Sequence, residues 1–129
     1  SKIPNGIPGV EHRPILLYTA GVAAGRISAH RMMKLLSEQP AKLFGMYPRK
    51  GALAVGSDAD IVIFDPEYKG RITAAAQHQA VDYTPYESFE TKGRVDTVLL
   101  SGEAAVENGQ VTAPRRGRFV RRGPSQFWR

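Results

Sequence analysis

Near residue 50 the spacing of apolar residues changes period, and no other feature limits the fold as strongly. Before that point the apolar residues recur at helical intervals. Ile15 to Ala24 is apolar and rich in small residues, and it ends at Gly25. Ser28 stands where an N-cap is expected for a helix over Ala29 to Leu36, with Met32, Met33, Leu35 and Leu36 as its buried face. Pro40 suits the first turn of a further short helix, Ala41 to Phe44, closed by Gly45. After Gly51 the pattern is that of strands. Asp60 to Pro66 reads as a buried strand because a β-branched and aromatic run lies between polar ends. Gly70 to Ala74 is a candidate second strand. Val95 to Leu100, the Ser101-Gly102 turn and Glu103 to Val106 read as a hairpin, and Asn108-Gly109 marks another tight turn before Gln110 to Thr112. Helices followed by antiparallel strands predict an α+β class, or parts of two domains. Between the strands, Gln77 to Arg94 is an irregular stretch, long enough to imply a task or a partner.

Charge separates a third region. The net charge is +6, and Arg115, Arg116, Arg118, Arg121, Arg122 and Arg129 account for all of it, with no acid after Ala113. The first 112 residues are neutral. Such a tail can meet nucleic acid or an acidic surface. Its aromatics, Phe119, Phe127 and Trp128, favour docking against protein over a purely electrostatic arm. A hydrophobic content of 42% is enough for a core, and no apolar run reaches the length of a membrane span. The opening residues lack a charged start and an apolar stretch, so no signal peptide is expected. Cysteine is absent, which excludes disulfides and thiolate metal sites and favours a cytoplasmic setting. The Pro- and Gly-rich opening, Ser1 to Val10, reads as the middle of something larger.

Four stretches carry a family resemblance. Ile3-Pro4-Asn5-Gly6-Ile7-Pro8-Gly9-Val10-Glu11 resembles the substrate-site loop of hydantoinases and dihydropyrimidinases. Gln39-Pro40-Ala41-Lys42-Leu43-Phe44-Gly45-Met46-Tyr47-Pro48-Arg49-Lys50-Gly51 is similar to a second motif of that family, with Gln39 where Asn is usual. Val81-Asp82-Tyr83-Thr84-Pro85-Tyr86-Glu87 is similar to a third, with Ser88 replacing its final Gly, and Gly117 to Gly123 resembles a fourth. The run Val55 to Pro66 is shared more widely, across the amidohydrolase superfamily.

The resemblance implies an architecture and a chemistry. Residues 1–50 would end a catalytic (β/α)8 barrel, 51–112 would supply the C-terminal strands of a β-sandwich, and 113–129 would be a basic tail contacting another subunit of a homotetramer. The implied reaction is hydrolysis of the cyclic amide of a hydantoin or dihydropyrimidine. Two divalent metals, commonly zinc, make hydroxide near neutral pH. Their ligands are implied to lie upstream, so the chain alone is expected to be inactive. Asn5 is the residue carried over as substrate-binding: its backbone groups would meet the ring's imide or amide edge, with Pro4 fixing φ and Gly6 permitting close approach. No catalytic residue and no metal ligand is assigned. His12 and His78 read as loop residues, the latter near an interface, and His30 as a helix-surface residue. Asp58, Asp60 and Asp65 read as structural, two bracketing a strand and Asp58 capping backbone N–H groups in a turn. An alternative reading is a stand-alone interaction module acting through the tail. Self-association is expected, because an unpaired sheet edge and an uncovered apolar face seek another chain.

Overall fold

A computed structural model describes residues 6–112 and 117–127. Two helical rods precede one sheet. The first is α1 (Arg13–Leu17) extended by a π-helical turn, Tyr18–Val22. Pro14 sits in its first turn, where a missing N–H costs nothing. The second is α2 (Ala29–Met33), a π-helical turn at Lys34–Glu38, and α3 (Gln39–Leu43). Ser28 is the N-cap expected of it, its hydroxyl accepting from the Arg31 N–H at 3.1 Å. Pro40 stands in the first turn of α3, as expected, and the π-turn joins that helix to α2 in one rod. The π-turn shifts the bonding register, so that Gln39 N–H reaches Lys34 O just before the residue that has no N–H to give. Gly45 closes the rod at φ +67°, the left-handed position expected of a helix C-terminus.

Four antiparallel strands follow in sequential order: β1 (Ile61–Arg71), β2 (Glu90–Leu100), β3 (Glu103–Glu107) and β4 (Gln110–Val111). Both predicted hairpin turns form. Ser101 and Gly102 have φ of 54° and 85°, and Asn108 and Gly109 have 51° and 74°. Two consecutive positive φ values give the twist that adjacent antiparallel strands require. The strand expected to end at Pro66 continues to Arg71, so Gly70 and Arg71 close β1 and start no second strand. Ala74–Ala76 is a 3-10 turn. Pro66 is tolerated because the ladder skips between Asp65 and Lys69, leaving no pairing there for it to interrupt. The irregular stretch ends at Phe89, since β2 already begins at Glu90.

Burial departs from expectation. Met32, Ala41 and Ile72 are the buried apolar side chains among the described residues, and none is fully enclosed. Met33 is 60% exposed, and Leu35 also faces solvent. Val62 and Ile63, expected inside, are 59% and 51% exposed. The register lines up Val62, Val98, Val106 and Val111 across all four strands. Val62 and Val111, at the two ends of that row, are exposed, and Val98 and Val106 between them are half-buried. The covered end lies further along, where Tyr18 stacks on Phe64 at 4.7 Å between ring centroids. Thr19 Oγ1 accepts there from the Lys92 N–H at 3.1 Å, tying the first rod to β2.

Candidate functional site

The described part of the motif-bearing loop, Gly6 to Glu11, runs directly into α1. Arg13 N–H donates to Gly9 O at 3.1 Å and Leu16 N–H to His12 O at 2.9 Å, so the helix end fixes the loop's exit. Its other contacts come from the stretch Gln77 to Tyr86. Glu11 accepts twice from one residue, from the His78 N–H on Oε2 at 2.8 Å and from His78 Nδ1 on Oε1 at 2.7 Å. Gln79 Nε2 approaches Pro8 O at 3.4 Å. Tyr86 packs its ring edge against Gly9, close enough that a Cβ there would stand 3.7 Å from Cε2. The same ring meets His12 edge-on, with centroids 6.2 Å apart at 85°. Partial burial alone would raise the Glu11 carboxyl; the hydrogen bonds and positive charge of His78, with a smaller contribution from His12, outweigh it and hold the group below 4.5.

His12 lies in the turn before α1, as read, but it is buried, and its Nδ1 has no hydrogen-bond partner among the described residues. Aromatic cover explains the burial: Tyr86 closes over the N-terminal end of α1. His30 is exposed on α2, as read from the sequence. His78 is exposed and engaged with Glu11. Among the described residues no three His, Asp or Glu side chains converge as a metal shell. Asn5, the expected substrate-binding residue, lies outside the described residues, as do Ala113 to Arg116, Trp128 and Arg129 of the tail.

A second cluster joins the two halves of the chain by charge. Asp58 does not cap a turn; it pairs with Arg49 at 3.0 Å, Lys50 at 2.9 Å and Arg118 at 3.6 Å. Lys50 also bonds Asp60, whose Oδ1 accepts from the Ser101 N–H at 2.9 Å. The hydrogen bond from Lys50 is the main cause holding the Asp58 carboxyl below its ordinary range. Asp60 is lowered too: burial opposes the shift, and Lys50 and the Ser101 N–H overcome it. The bond to Asp60 raises Lys50 in turn. Asp65 accepts from its own Glu67 N–H at 3.0 Å and pairs with Arg94. All three aspartates thus have their carboxylates engaged by partners within the chain. The described tail lies on its own chain. Gln126 N–H donates to Lys42 O at 2.9 Å and Gly123 N–H to Gly45 O at 2.8 Å, satisfying carbonyls at the end of α3. An open groove of about 570 Å³ remains beside it, lined by Leu43, Phe44 and Phe119 among others.

The contact between the loop and the Gln77 to Tyr86 stretch was not read from the sequence. Its signal was present, since Glu11 and Tyr86 both sit inside quoted motifs. Nothing in one dimension joins residues 67 positions apart.

Comparison with known proteins adds three findings. Residues 9–105 match the model of the amidohydrolase family. Among curated proteins, the D-hydantoinase of Ralstonia pickettii is 50% identical over 121 residues, covering 93% of this chain and 26% of that protein. The D-phenylhydantoinase of Escherichia coli O1:K1 is 46% identical over 125 residues, covering 96% and 27%. Among solved structures, a D-hydantoinase (dihydropyrimidinase) from Thermus sp. superposes with a TM-score of 0.92 at 48% identity, over 97% of this chain and 28% of that one. The chain spans about a quarter of the length of the relatives it matches.

Proposed function

The chain belongs to the amidohydrolase family, and from that premise we propose that it is the C-terminal portion of a D-hydantoinase/dihydropyrimidinase hydrolysing the cyclic amide bond of hydantoins or dihydropyrimidines. The superposition on the Thermus enzyme, at a TM-score of 0.92 over 97% of the chain, carries this reading. Within it, residues 1–50 close a (β/α)8 barrel, 51–112 provide sandwich strands and 113–129 form the tail. Sandwich strands from an upstream segment would cover the exposed valine row, and an apolar row spanning four strands suits such a role. Two divalent metals, zinc by resemblance, supply a hydroxide near neutral pH when bound. In this reading the chain's own part is to bind and orient the ring, with Asn5 as the substrate-binding residue. A cyclic ureide or imide is the small-molecule partner, and cytoplasmic homotetramers belong to the same reading.

The alternative, an interaction module working through free tail arginines, has less support. Arg118 is paired to Asp58, and the segment Gly123 to Gln126 is bonded to the end of α3. Ring opening decides between the readings, followed by loss of the cyclic amide's ultraviolet absorbance with zinc supplied. The expected outcome is turnover by the chain joined to an upstream metal-bearing portion and none by the 129 residues alone. Turnover by the chain alone, or none by the joined protein on either ring class, overturns the proposal.

A further inference from the structure

The stretch between β1 and β2 is long, irregular and rich in polar groups, and the proposed chemistry leaves it without a task. The geometry points to one: Glu11 and His78 form a clasp, backed by Tyr86, that holds the substrate loop in position for ring binding. This inference rests on the proposed function, because it takes the Ile3 to Val10 loop to be the one that meets the ring.

Three observations carry it. Glu11 sits at the hinge between the loop and α1, and both of its oxygens accept from the same residue. A carboxylate gripped at two points keeps its orientation as well as its position, which a single bond on a rotatable side chain does not. Tyr86 also packs on the loop, with its ring edge on Gly9 and its plane nearly perpendicular to that of the buried His12. Gln79 reaches Pro8 O between them. The contacts fall on three successive parts of the loop, at Pro8, Gly9 and Glu11, and all come from Gln77 to Tyr86. Pro8 and Gly9 themselves offer no side-chain bond by which the loop could hold its own shape. A loop that binds through backbone groups must be placed as a unit, so its register depends on the groups gripping it from outside.

Glu11 and His78 are thus positioning residues. They touch the loop, and they act on substrate through it.

The test uses the joined hydrolase that carries this chain, with hydrogen exchange of the peptide covering Lys2 to Val10 and steady-state kinetics on a hydantoin. Glu11→Leu removes both acceptors and is expected to raise loop exchange and lower kcat/KM by roughly ten- to a hundredfold, mostly through KM. His78→Leu keeps the main-chain donor and should produce the same pattern more weakly. His78→Asn restores a donor near the Nδ1 position and should return KM to within about twofold of the parent. A general loss of folded protein would lower kcat and leave KM alone, so the split separates positioning from simple destabilisation. If Glu11→Leu does not fold, the His78→Leu and His78→Asn pair decides alone. Unchanged loop exchange in the leucine variants overturns the clasp. Raised exchange with unchanged KM overturns its role in ring binding. An inactive parent is a failure of the proposed function instead, and exchange then still decides whether the clasp holds the loop.

Discussion

The two ends of the β1–β2 ladder have opposite fates. At one end Thr91 and Gly93 are buried, though neither is a strong hydrophobe. At the other, Ile61 to Ile63 faces Thr97 to Leu99, the most apolar pairing in the sheet, and Val62 and Ile63 are more than half exposed. The difference is cover. The first helical rod lies over the Thr91 end, with Tyr18 on Phe64 and Thr19 bonded to Lys92. The other end keeps Val62 and Ile63 open to solvent. Apolar area stabilises a fold only when something removes it from water, at about 25 cal/mol per Å², so hydrophobic sequence marks a demand for burial and not its fulfilment.

The largest test of this contrast is Gly93→Ala. A Cβ there would fall 2.4 Å from Phe64 Cζ, and the residue has φ +75°. Steric overlap and left-handed strain together should cost about 2–4 kcal/mol, read as a lowered urea midpoint. An unchanged midpoint would mean that Gly93 is not packed against Phe64 as described. Thr19→Val keeps the shape and removes the acceptor for Lys92 N–H, for an expected loss of about 1 kcal/mol. Its signature is faster exchange of the Lys92 amide.

Acid and alkali probe the charge cluster that straps the Arg49 to Asp60 loop onto the Ser101 turn. Asp58 and Asp60 are held below their ordinary 3.8, so their contribution is present above that pH and is lost as pH falls through the lowered values. Lys50 is held above 10.5, so its contribution is present below that pH and is lost as pH rises through the raised value. A stability profile flat between these limits and falling outside both is expected, and Asp58→Asn should shrink the acid limb. The smallest effect belongs to Val62→Lys, which should move the midpoint of the isolated chain by less than about 0.5 kcal/mol. It should nevertheless reduce self-association in light scattering, because it places a charge on the uncovered row. An isolated chain that stays monomeric at high concentration would show that the row does not seek a partner.

Local features were legible wherever one or a few adjacent residues decide them. Ser28 capped its helix, Gly45 ended one, and Ser101-Gly102 and Asn108-Gly109 made their turns, because capping bonds and positive φ are properties of two to four residues. Pro40 stands in the first turn of α3, as its missing N–H suggested. Pro66 misled: it was read as the end of a strand, yet a skipped ladder step absorbed the missing N–H, and that depends on neighbours beyond the dipeptide. Asp58 was read as a cap, but its partners Arg49, Lys50 and Arg118 converge on it from loop and tail.

The sequence by itself determined the change from helix to strand near residue 50, the turns, the concentration of charge in the tail and the motifs that mark the family. Periodicity, backbone freedom and charge are all written along the chain. Only the tertiary structure decided which apolar residues are covered, that His12 is buried beneath Tyr86 and that Glu11 is gripped by His78. Those outcomes depend on which surfaces meet, and contact between residues far apart in the chain is set by packing.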